Sequence, residues 1–174
     1  SEGTLASSNY SFVFVAGQLS VTKATLTVTA DNKSRVYGVD NPAFTYTFNG
    51  YVNGENVVSS GVSGAPALTT SAVRSSSPAT FAIAVQSGDL AAENYDFILV
   101  NGTLSVTKAV LTVRADDKSK LYGSVNPSFT YTISGFTNDE TISNSGVTGT
   151  PALSSIATQT SGARTYAITS SRSE

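Results

Sequence analysis

The chain contains no cysteine, histidine, methionine or tryptophan. Without cysteine it can form no disulfide, no thiolate metal site and no thiol nucleophile. Without histidine it lacks the commonest general base and metal ligand. These absences exclude the usual Ser-His-Asp, Cys-His and His-zinc mechanisms. No pair of carboxylates stands out as a glycosidase pair either. We therefore expect no enzyme activity and no cofactor.

Charge is also scarce, since Asp, Glu, Lys and Arg make up 13% of the chain and the net charge is −2. The nearest approach to a basic cluster is Lys33 with Arg35, repeated as Lys118 with Lys120. Nucleic-acid binding needs more clustered positive charge than this. There is no run of about eighteen apolar residues and no signal sequence at Ser1. We expect no nucleic-acid partner, no membrane insertion, and any targeting segment outside this sequence.

Serine and threonine are abundant, with 27 Ser and 23 Thr in 174 residues. Hydrophobic residues still account for 40% of the chain, which is enough to build cores. Thr, Val, Tyr and Phe favour strands, and no window shows an apolar face at helical spacing. The composition therefore predicts a mainly β protein.

An internal repeat organises the chain. Shifted by 85 residues, the sequence matches itself without a gap, with 44 identities among the 89 aligned pairs. For example, Lys23–Val28 aligns with Lys108–Val113, and Asn41–Pro42 aligns with Asn126–Pro127. We conclude that the chain is a tandem duplication.

The pattern within one repeat predicts short strands joined by turns. Asn101–Gly102, equivalent to Ala16–Gly17, is a typical two-residue hairpin signal. Residues 31–41 are predicted to form a loop, and residues 53–60 one or two helical turns. The predicted strands cover residues 10–15, 19–22, 24–30, 44–48, 66–70 and 80–85.

The repeat boundary is predicted from the apolar pattern, which occupies odd positions in 19–21 and even positions in 24–30. A shift by one residue moves apolar side chains to the opposite face of a strand, so one core ends near Lys23. Residues 1–22 are then the last hairpin of a preceding repeat, residues 23–107 a complete repeat, and residues 108–174 a repeat lacking its last hairpin. Two alternatives stay open: a bulge within one module, and modules at 1–85 and 86–174.

This boundary predicts the partners of the chain. Neighbouring repeats follow each other with almost no linker, so we expect them to be stiffly coupled. An incomplete sheet exposes an unpaired edge. We therefore expect end-to-end self-association, in which residues 1–22 of one molecule complete residues 108–174 of another.

The sequence resembles a known family. The run from Leu26 to Lys33, followed by Tyr37–Gly38, Asn41–Pro42 and Phe44–Tyr46, is similar to the MBG repeat of the "YGX" type. The closing run Asn94–Lys108 belongs to the same pattern, and the resemblance covers essentially the whole chain. It implies a β-grasp-like module with a minimal helix, found in arrays in bacterial secreted and cell-surface proteins. An immunoglobulin-like β-sandwich is the alternative fold.

Aromatic residues are the candidate ligand-binding residues. Tyr37 and Tyr122 each precede a glycine in a loop, where a ring can stack on a sugar. Tyr51 and Phe136 each follow a glycine and form a second candidate pair. Packing within the module explains all four equally well.

Acidic residues in turns are the candidate metal ligands, because Ca²⁺ prefers several oxygen ligands. They are Asp31, Asp40, Asp116 and Asp117. Their spacing fits no known calcium loop, and such residues usually satisfy the local backbone. We therefore predict no metal site.

The function predicted from the sequence is structural. Serial β-rich modules would form a stalk at the bacterial cell surface that supports adhesion. The alternative is a binding module whose repeats contact a host or matrix glycan or protein weakly, with copy number raising the avidity. The sequence does not identify such a ligand.

Overall fold

The computed structural model describes residues 3–171, which form eleven strands and no helix. The mainly β class is therefore confirmed. None of the described residues forms a helix long and apolar enough to cross a membrane. The strands are β1 (Ala24–Ala30), β2 (Lys33–Val36), β3 (Tyr46–Asn49), β4 (Ala67–Thr69), β5 (Thr80–Gln86), β6 (Tyr95–Val100), β7 (Gly102–Thr107), β8 (Thr112–Ala115), β9 (Tyr131–Ser134), β10 (Ala152–Ser154) and β11 (Thr169–Ser171).

Strands β1 to β7 form two sheets, with the orders β3-β1-β6 and β2-β7-β5-β4. Strand β1 is antiparallel to β3 and parallel to β6. Strand β7 lies between β2, to which it is parallel, and β5, to which it is antiparallel. The two parallel pairs do not fit the immunoglobulin-like alternative, whose sheets are antiparallel.

The predicted hairpin at Asn101–Gly102 is wrong. Strands β6 and β7 do not pair with each other but lie in different sheets. A type I′ hairpin turn requires positive φ at both central residues, and neither Asn101 nor Gly102 has a positive φ. The two strands therefore form one extended segment that bends from the first sheet into the second, beside the similar segment formed by β1 and β2.

Asparagine side chains hold both segments at this bend. Asn32 Oδ1 accepts hydrogen bonds from the backbone N (2.8 Å) and Oγ1 (2.9 Å) of Thr103. Asn101 Oδ1 accepts one from the backbone N of Val85 at 3.0 Å. A Cβ on Gly102 would overlap the carbonyl of Ala30. Asn32 was predicted to lie in a loop; instead it joins β1 to β2, a strand that the sequence analysis missed.

The hydrophobic core lies between the two sheets of residues 24–107. Aromatic residues of β3 and the preceding segment pack against it from the side, while Thr45 and Thr47 are exposed, as the alternation predicted. Burial of these apolar side chains is the main stabilising contribution. The buried apolar residues are Leu26, Val28, Ala30, Ala72, Ile83, Val85, Tyr95, Leu104 and Val106.

The minimal helix predicted for residues 53–60 is absent, because this segment forms turns. The backbone N of Glu55 donates to the carbonyl of Val52 at 3.0 Å, and the backbone N of Ser60 donates to the carbonyl of Asn56 at 2.9 Å. Asn53 and Gly54 both have positive φ. Two successive residues in that conformation interrupt a right-handed helix.

The second repeat has fewer paired strands among its described residues than the first. Strand β8 pairs with β9 and β10 pairs with β11, each as a two-stranded sheet. No apolar side chain among residues 108–171 is fully buried. Among the described residues none corresponds to β6 and β7 in this repeat, and in the first repeat these strands contribute Tyr95, Leu104 and Val106 to the core.

Residues 3–22 form no strand, so the strands predicted at 10–15 and 19–22 are not formed. Their copies 85 residues later are β6 and β7, which have partner strands. Residues 3–22 have no partner strand and are exposed. The predicted module boundaries stay a prediction, and residues 1, 2 and 172–174 of the predicted segments lie outside the described residues.

Candidate functional site at the joint between the repeats

The loop after β2 carries the first of the two Tyr–Gly dipeptides. The backbone N of Tyr37 donates to the carbonyl of Thr107 at 2.8 Å, which fixes the loop to the end of β7. Gly38 has a φ of 82°, a conformation that a residue with a Cβ rarely adopts. The dipeptide thus lies where the first repeat ends and the second begins.

This loop contacts the second repeat. The hydroxyl of Tyr37 donates a hydrogen bond to Oε1 of Glu140, 103 residues away. Gly38 is buried, and a Cβ placed on it would overlap the side chain of Thr137. The covalent connection between β7 and β8 is only residues 108–111. The two repeats are therefore held together at two places, the linker and the Tyr37–Gly38 contact.

A small cavity of about 190 Å³ adjoins this contact. Tyr37 and Glu140 line it, together with Leu111 from the linker. Phe136, a candidate ligand-binding residue, is half-buried and lines the same cavity. Phe136 therefore faces the joint between the repeats.

The first repeat contains the equivalent carboxylate, Glu55, in a different pairing. Oε2 of Glu55 accepts a hydrogen bond from the hydroxyl of Tyr95, the first residue of β6. That hydroxyl also accepts a hydrogen bond from the backbone N of Val52 at 3.1 Å. The hydrogen bond to Glu55 raises the pKa of Tyr95 above its usual value, with burial adding to the effect. Glu55 therefore stabilises the position of β6 within its own repeat.

Tyr51, another candidate ligand-binding residue, packs against the rings beside it. Its ring centroid lies 5.9 Å from that of Tyr95 in an edge-to-face geometry, and 6.0 Å from that of Phe48. Burial raises the pKa of the Tyr51 phenol. The ring is engaged with its neighbours inside the repeat, which is the packing explanation given above.

We expect Tyr95→Phe to lower the Tm by about 5 °C, because Glu55 loses its hydrogen-bond donor. The loss is no larger because the phenylalanine ring still packs on Tyr51. The pKa of Tyr95 is raised in the folded state. The stabilisation that protonated Tyr95 contributes is therefore fully present below the ordinary tyrosine pKa. It is lost as the pH rises through the raised pKa of the folded state. Urea denaturation, followed by circular dichroism between neutral pH and pH 11, measures the free energy of unfolding. This free energy should fall less at alkaline pH in the variant than in the parent.

Tyr10 is the matched control, since it occupies the equivalent position and is 79% exposed. Tyr10→Phe should leave both the Tm and the alkaline loss of stability in dilute solution unchanged. Equal effects of the two substitutions would contradict the role assigned to Tyr95.

Tyr122 and Gly123, the second copy of the dipeptide, have a different environment. Tyr122 is 73% exposed, and a Cβ on Gly123 would meet no atom within 4 Å. Gly123 nevertheless has a φ of 85°, close to that of Gly38. The loop therefore keeps its conformation without the contact that its copy makes.

The candidate metal ligands instead contact protein groups near them. Asp31 accepts a hydrogen bond from the hydroxyl of Thr45. Asp116 accepts bonds from Thr130 at 2.5 Å and from Thr132 at 2.8 Å, and these lower its pKa. Asp40 lies 3.9 Å from Arg74, and Asp117 lies 3.1 Å from Arg114. Within residues 3–171 no three acidic residues converge as a metal site would require.

A buried arginine, whose role was not predicted from the sequence, holds the loop in place. Arg35 is 6% exposed and donates to the carbonyl of Val73 at 2.5 Å and to Oδ1 of Asn41 at 2.7 Å. Asn41 Nδ2 in turn donates to the carbonyl of Ala72 at 2.7 Å. The second repeat makes the same connection with Lys120. In the sequence, the indication of this role was the recurrence of a basic residue, as Arg35 in the first repeat and Lys120 in the second.

Comparison with known proteins agrees with this architecture. The family model for the MBG domain of the YGX type matches residues 26–105 and again residues 111–174. Searches among curated proteins and among solved structures found no match. The two matches cover most of the sequence and coincide with the two structural repeats, so the chain belongs to the MBG domain (YGX type) family as a tandem pair of its repeats.

Proposed function

We propose that this chain is a structural spacer, part of a stiff stalk in a large secreted bacterial surface protein that supports adhesion. Repeats of this family typically occur in extracellular proteins, often in large surface proteins. The observation that carries the proposal is the second attachment at the joint, where Tyr37 and Gly38 of one repeat contact Glu140 and Thr137 of the next.

Two attachment points restrict bending where one does not. A short linker alone limits the distance between two modules but leaves them free to rotate. Small interfaces within a chain usually permit relative motion. At this joint the backbone of Gly38 lies so close to Thr137 that no side chain fits between them. Rotation about the linker would have to break this contact and the Tyr37–Glu140 hydrogen bond.

The proposed role requires no chemistry. In it the chain is not an enzyme, needs no cofactor and has neighbouring repeats as its partners. The alternative, weak multivalent binding of glycan or protein, stays a prediction. Of its four candidate residues, Tyr37, Tyr51 and Phe136 contact other parts of the protein and Tyr122 is exposed. The binding alternative is supported by one exposed ring, that of Tyr122. The spacer role is supported by two contacts at the joint and is therefore preferred.

We expect Gly38→Ala to loosen the joint, because its Cβ displaces Thr137. The orientation of the repeats can be measured with spin labels at Ser77→Cys and Thr160→Cys, two exposed positions in different repeats of a chain that has no other cysteine. Pulsed electron-electron double resonance should give a narrow distance distribution for the parent and a broad one for Gly38→Ala.

Gly123→Ala is the matched control. Its φ of 85° gives the same backbone strain, but its Cβ meets no other atom. We expect this variant to keep the narrow distribution. A distribution already broad in the parent, or broadened equally by both substitutions, would refute the stiff joint and with it the spacer role.

A further inference from the structure

We propose that Asn53 is a site of spontaneous modification, at which the backbone N of Gly54 attacks the Asn53 side chain and leads to isoaspartate. The inference rests on an exposed Asn–Gly turn whose two flanking residues both contact Tyr95. It goes beyond the spacer role, because the reaction takes place within the first repeat and does not involve the joint.

The reacting pair occupies the two central positions of a turn. The backbone N of Glu55 donates to the carbonyl of Val52 at 3.0 Å, and Asn53 and Gly54 have φ angles of 56° and 71°, as in a type I′ turn. Both residues are exposed, and a Cβ on Gly54 would meet no atom within 4 Å. The backbone N of Gly54 donates to no backbone acceptor in the described part of the chain. It can therefore approach Asn53 without displacing other parts of the repeat.

The reaction needs water as its only co-reactant. The Gly54 N loses its proton to solvent and bonds to Cγ of Asn53, and the bond from Cγ to Nδ2 breaks as ammonia leaves with a proton from solvent. Because the two groups belong to adjacent residues, ring closure is intramolecular. Water then opens the cyclic imide. Attack at Cγ gives aspartate, and attack at the main-chain carbonyl gives isoaspartate, in which the backbone continues through the side-chain carbons.

The sequence contains two other Asn–Gly pairs, and the fold protects the one between β6 and β7. Asn101 Oδ1 accepts a hydrogen bond from the backbone N of Val85 at 3.0 Å. Gly102 is buried and is the partner of Ile83 in the pairing of β5 with β7. Ring closure at this pair therefore requires the sheet to open, which is a rare event in a strand that crosses the core.

The third pair, Asn49 with Gly50, lies at the end of β3. Asn49 is the partner of Thr27 in β1, and the Gly50 backbone lies so close to the carbonyl of Thr25 that a Cβ would be 2.8 Å from it. The backbone is held on both residues of the pair. The three pairs have the same local chemistry, so it is the fold that selects Asn53.

The second repeat contains the same turn with a less reactive pair. In residues 137–140 the equivalent hydrogen bond is 3.0 Å long, and Asn138 and Asp139 have φ angles of 53° and 58°. The Asp139 side chain hinders the approach to its own backbone N, which glycine leaves open. Asn138 is also half-buried, and it lines a cavity at the joint together with Arg74. The chain therefore carries its own comparison turn.

The product alters the contact that positions β6. The Val52 backbone N donates to the hydroxyl of Tyr95 at 3.1 Å, and this hydroxyl donates to Oε2 of Glu55. Isoaspartate at Asn53 adds a methylene to the backbone between Val52 and Glu55. These two residues then cannot both keep their places at the Tyr95 hydroxyl.

Peptide mapping of the full chain, kept folded in warm and mildly alkaline buffer, tests the site. Trypsin places Asn53, Asn101 and Asn138 in the separate peptides 36–74, 75–108 and 121–164. Mass spectrometry with fragmentation then follows the exchange of each amide for a carboxylate and distinguishes aspartate from isoaspartate. Asn53 should react about tenfold faster than Asn138 because Gly54 has no Cβ. It should react about a hundredfold faster than Asn101, whose strand must open first.

Urea and a substitution provide the controls. In urea the three Asn–Gly pairs should react at similar rates, because the sheets that protect two of them are lost. Gly54→Asp reproduces the pair that the second repeat accommodates in the same turn, and it should slow the reaction at Asn53 about tenfold. Equal rates at Asn53 and Asn101 in the folded chain, or no slowing by Gly54→Asp, would overturn the proposal.

The effect on β6 is measured on the isoaspartate form after its separation by ion exchange. Its Tm should fall by about as much as in Tyr95→Phe. Asn53→Asp introduces the same charge with an unchanged backbone, so it should keep the Tm of the parent. An isoaspartate form that melts with the parent, or an equal loss in Asn53→Asp, would refute the effect of the longer backbone. None of these results depends on the stiffness of the joint, so the spacer role is tested separately.

Discussion

Leu104→Ala should lower the free energy of unfolding of the first repeat by about 3 kcal/mol. Leu104 lies on β7, the strand between β2 and β5, and its side chain is completely buried. Its truncation removes apolar contacts and leaves a cavity in a core that is bounded by two sheets. Urea denaturation of the full chain, followed by circular dichroism, measures the change.

Leu19 is the matched control, because it occupies the equivalent position and is 91% exposed. Leu19→Ala should change the free energy of unfolding by less than about 0.5 kcal/mol in dilute solution. The two substitutions remove the same atoms from the same sequence pattern. The difference between their changes in the free energy of unfolding therefore measures the stabilisation that comes from packing between partner strands. Similar losses from both would mean that residues 3–22 are packed in solution, contrary to the structure.

Arg35→Met should have a similar effect and lower the free energy of unfolding by about 3 kcal/mol. Methionine fills much of the same volume but cannot donate to Asn41 or to the carbonyls of Val36, Val73 and Arg74. These partly buried acceptors would then lose the donor that the guanidinium supplies, and a buried acceptor without a partner costs more than the hydrogen bond itself contributes. Thermal and urea denaturation both measure the effect.

Arg35→Lys should cost only about 1 kcal/mol, because the second repeat uses lysine at this position. Lys120 Nζ donates to the carbonyls of Thr158 at 2.7 Å and Ser124 at 3.0 Å. A lysine thus makes the essential contact, although with fewer donors than the guanidinium. If Arg35→Lys were as damaging as Arg35→Met, the stabilising role would belong to the shape of arginine and not to its charge and donors.

Local patterns in the sequence predicted the features that depend on local physics. The alternation of apolar and polar residues located β1 and β5, and the aromatic and threonine alternation located β3, because a strand with one buried face repeats every two residues. The self-match at 85 residues identified the duplication that the structure shows as two repeats.

Pairing between distant strands could not be predicted in the same way. The Asn101–Gly102 dipeptide has a strong local preference for a hairpin, yet both flanking strands pair with segments about 70 residues earlier in the chain. Residues 33–36 were missed because only one of them, Arg35, points into the protein, and a buried arginine looks like a surface residue in the sequence. Tertiary contacts decided both cases.

The joint was also beyond prediction from the sequence. Tyr37 and Glu140 are 103 residues apart, and nothing in either segment indicates that they meet. The recurrence of Glu55 and Glu140 was visible, but a helix N-terminus explained it equally well. Only the absence of a helix, together with the tyrosine partners, reveals the role of these carboxylates.

The parallel pairing of the segment that opens a repeat, β1 with β2, and the segment that closes it, β6 with β7, determines how the repeat bears mechanical load. Strand β1 begins the repeat and β7 ends it, and the segments containing them run side by side in the same direction. A force that pulls the two ends apart therefore acts along the strands. The six registered pairs of β1 with β6 and the four of β2 with β7 slide against each other together. A sheet loaded across its strands would instead open one pair at a time, so this topology resists tension applied between the two ends of the repeat.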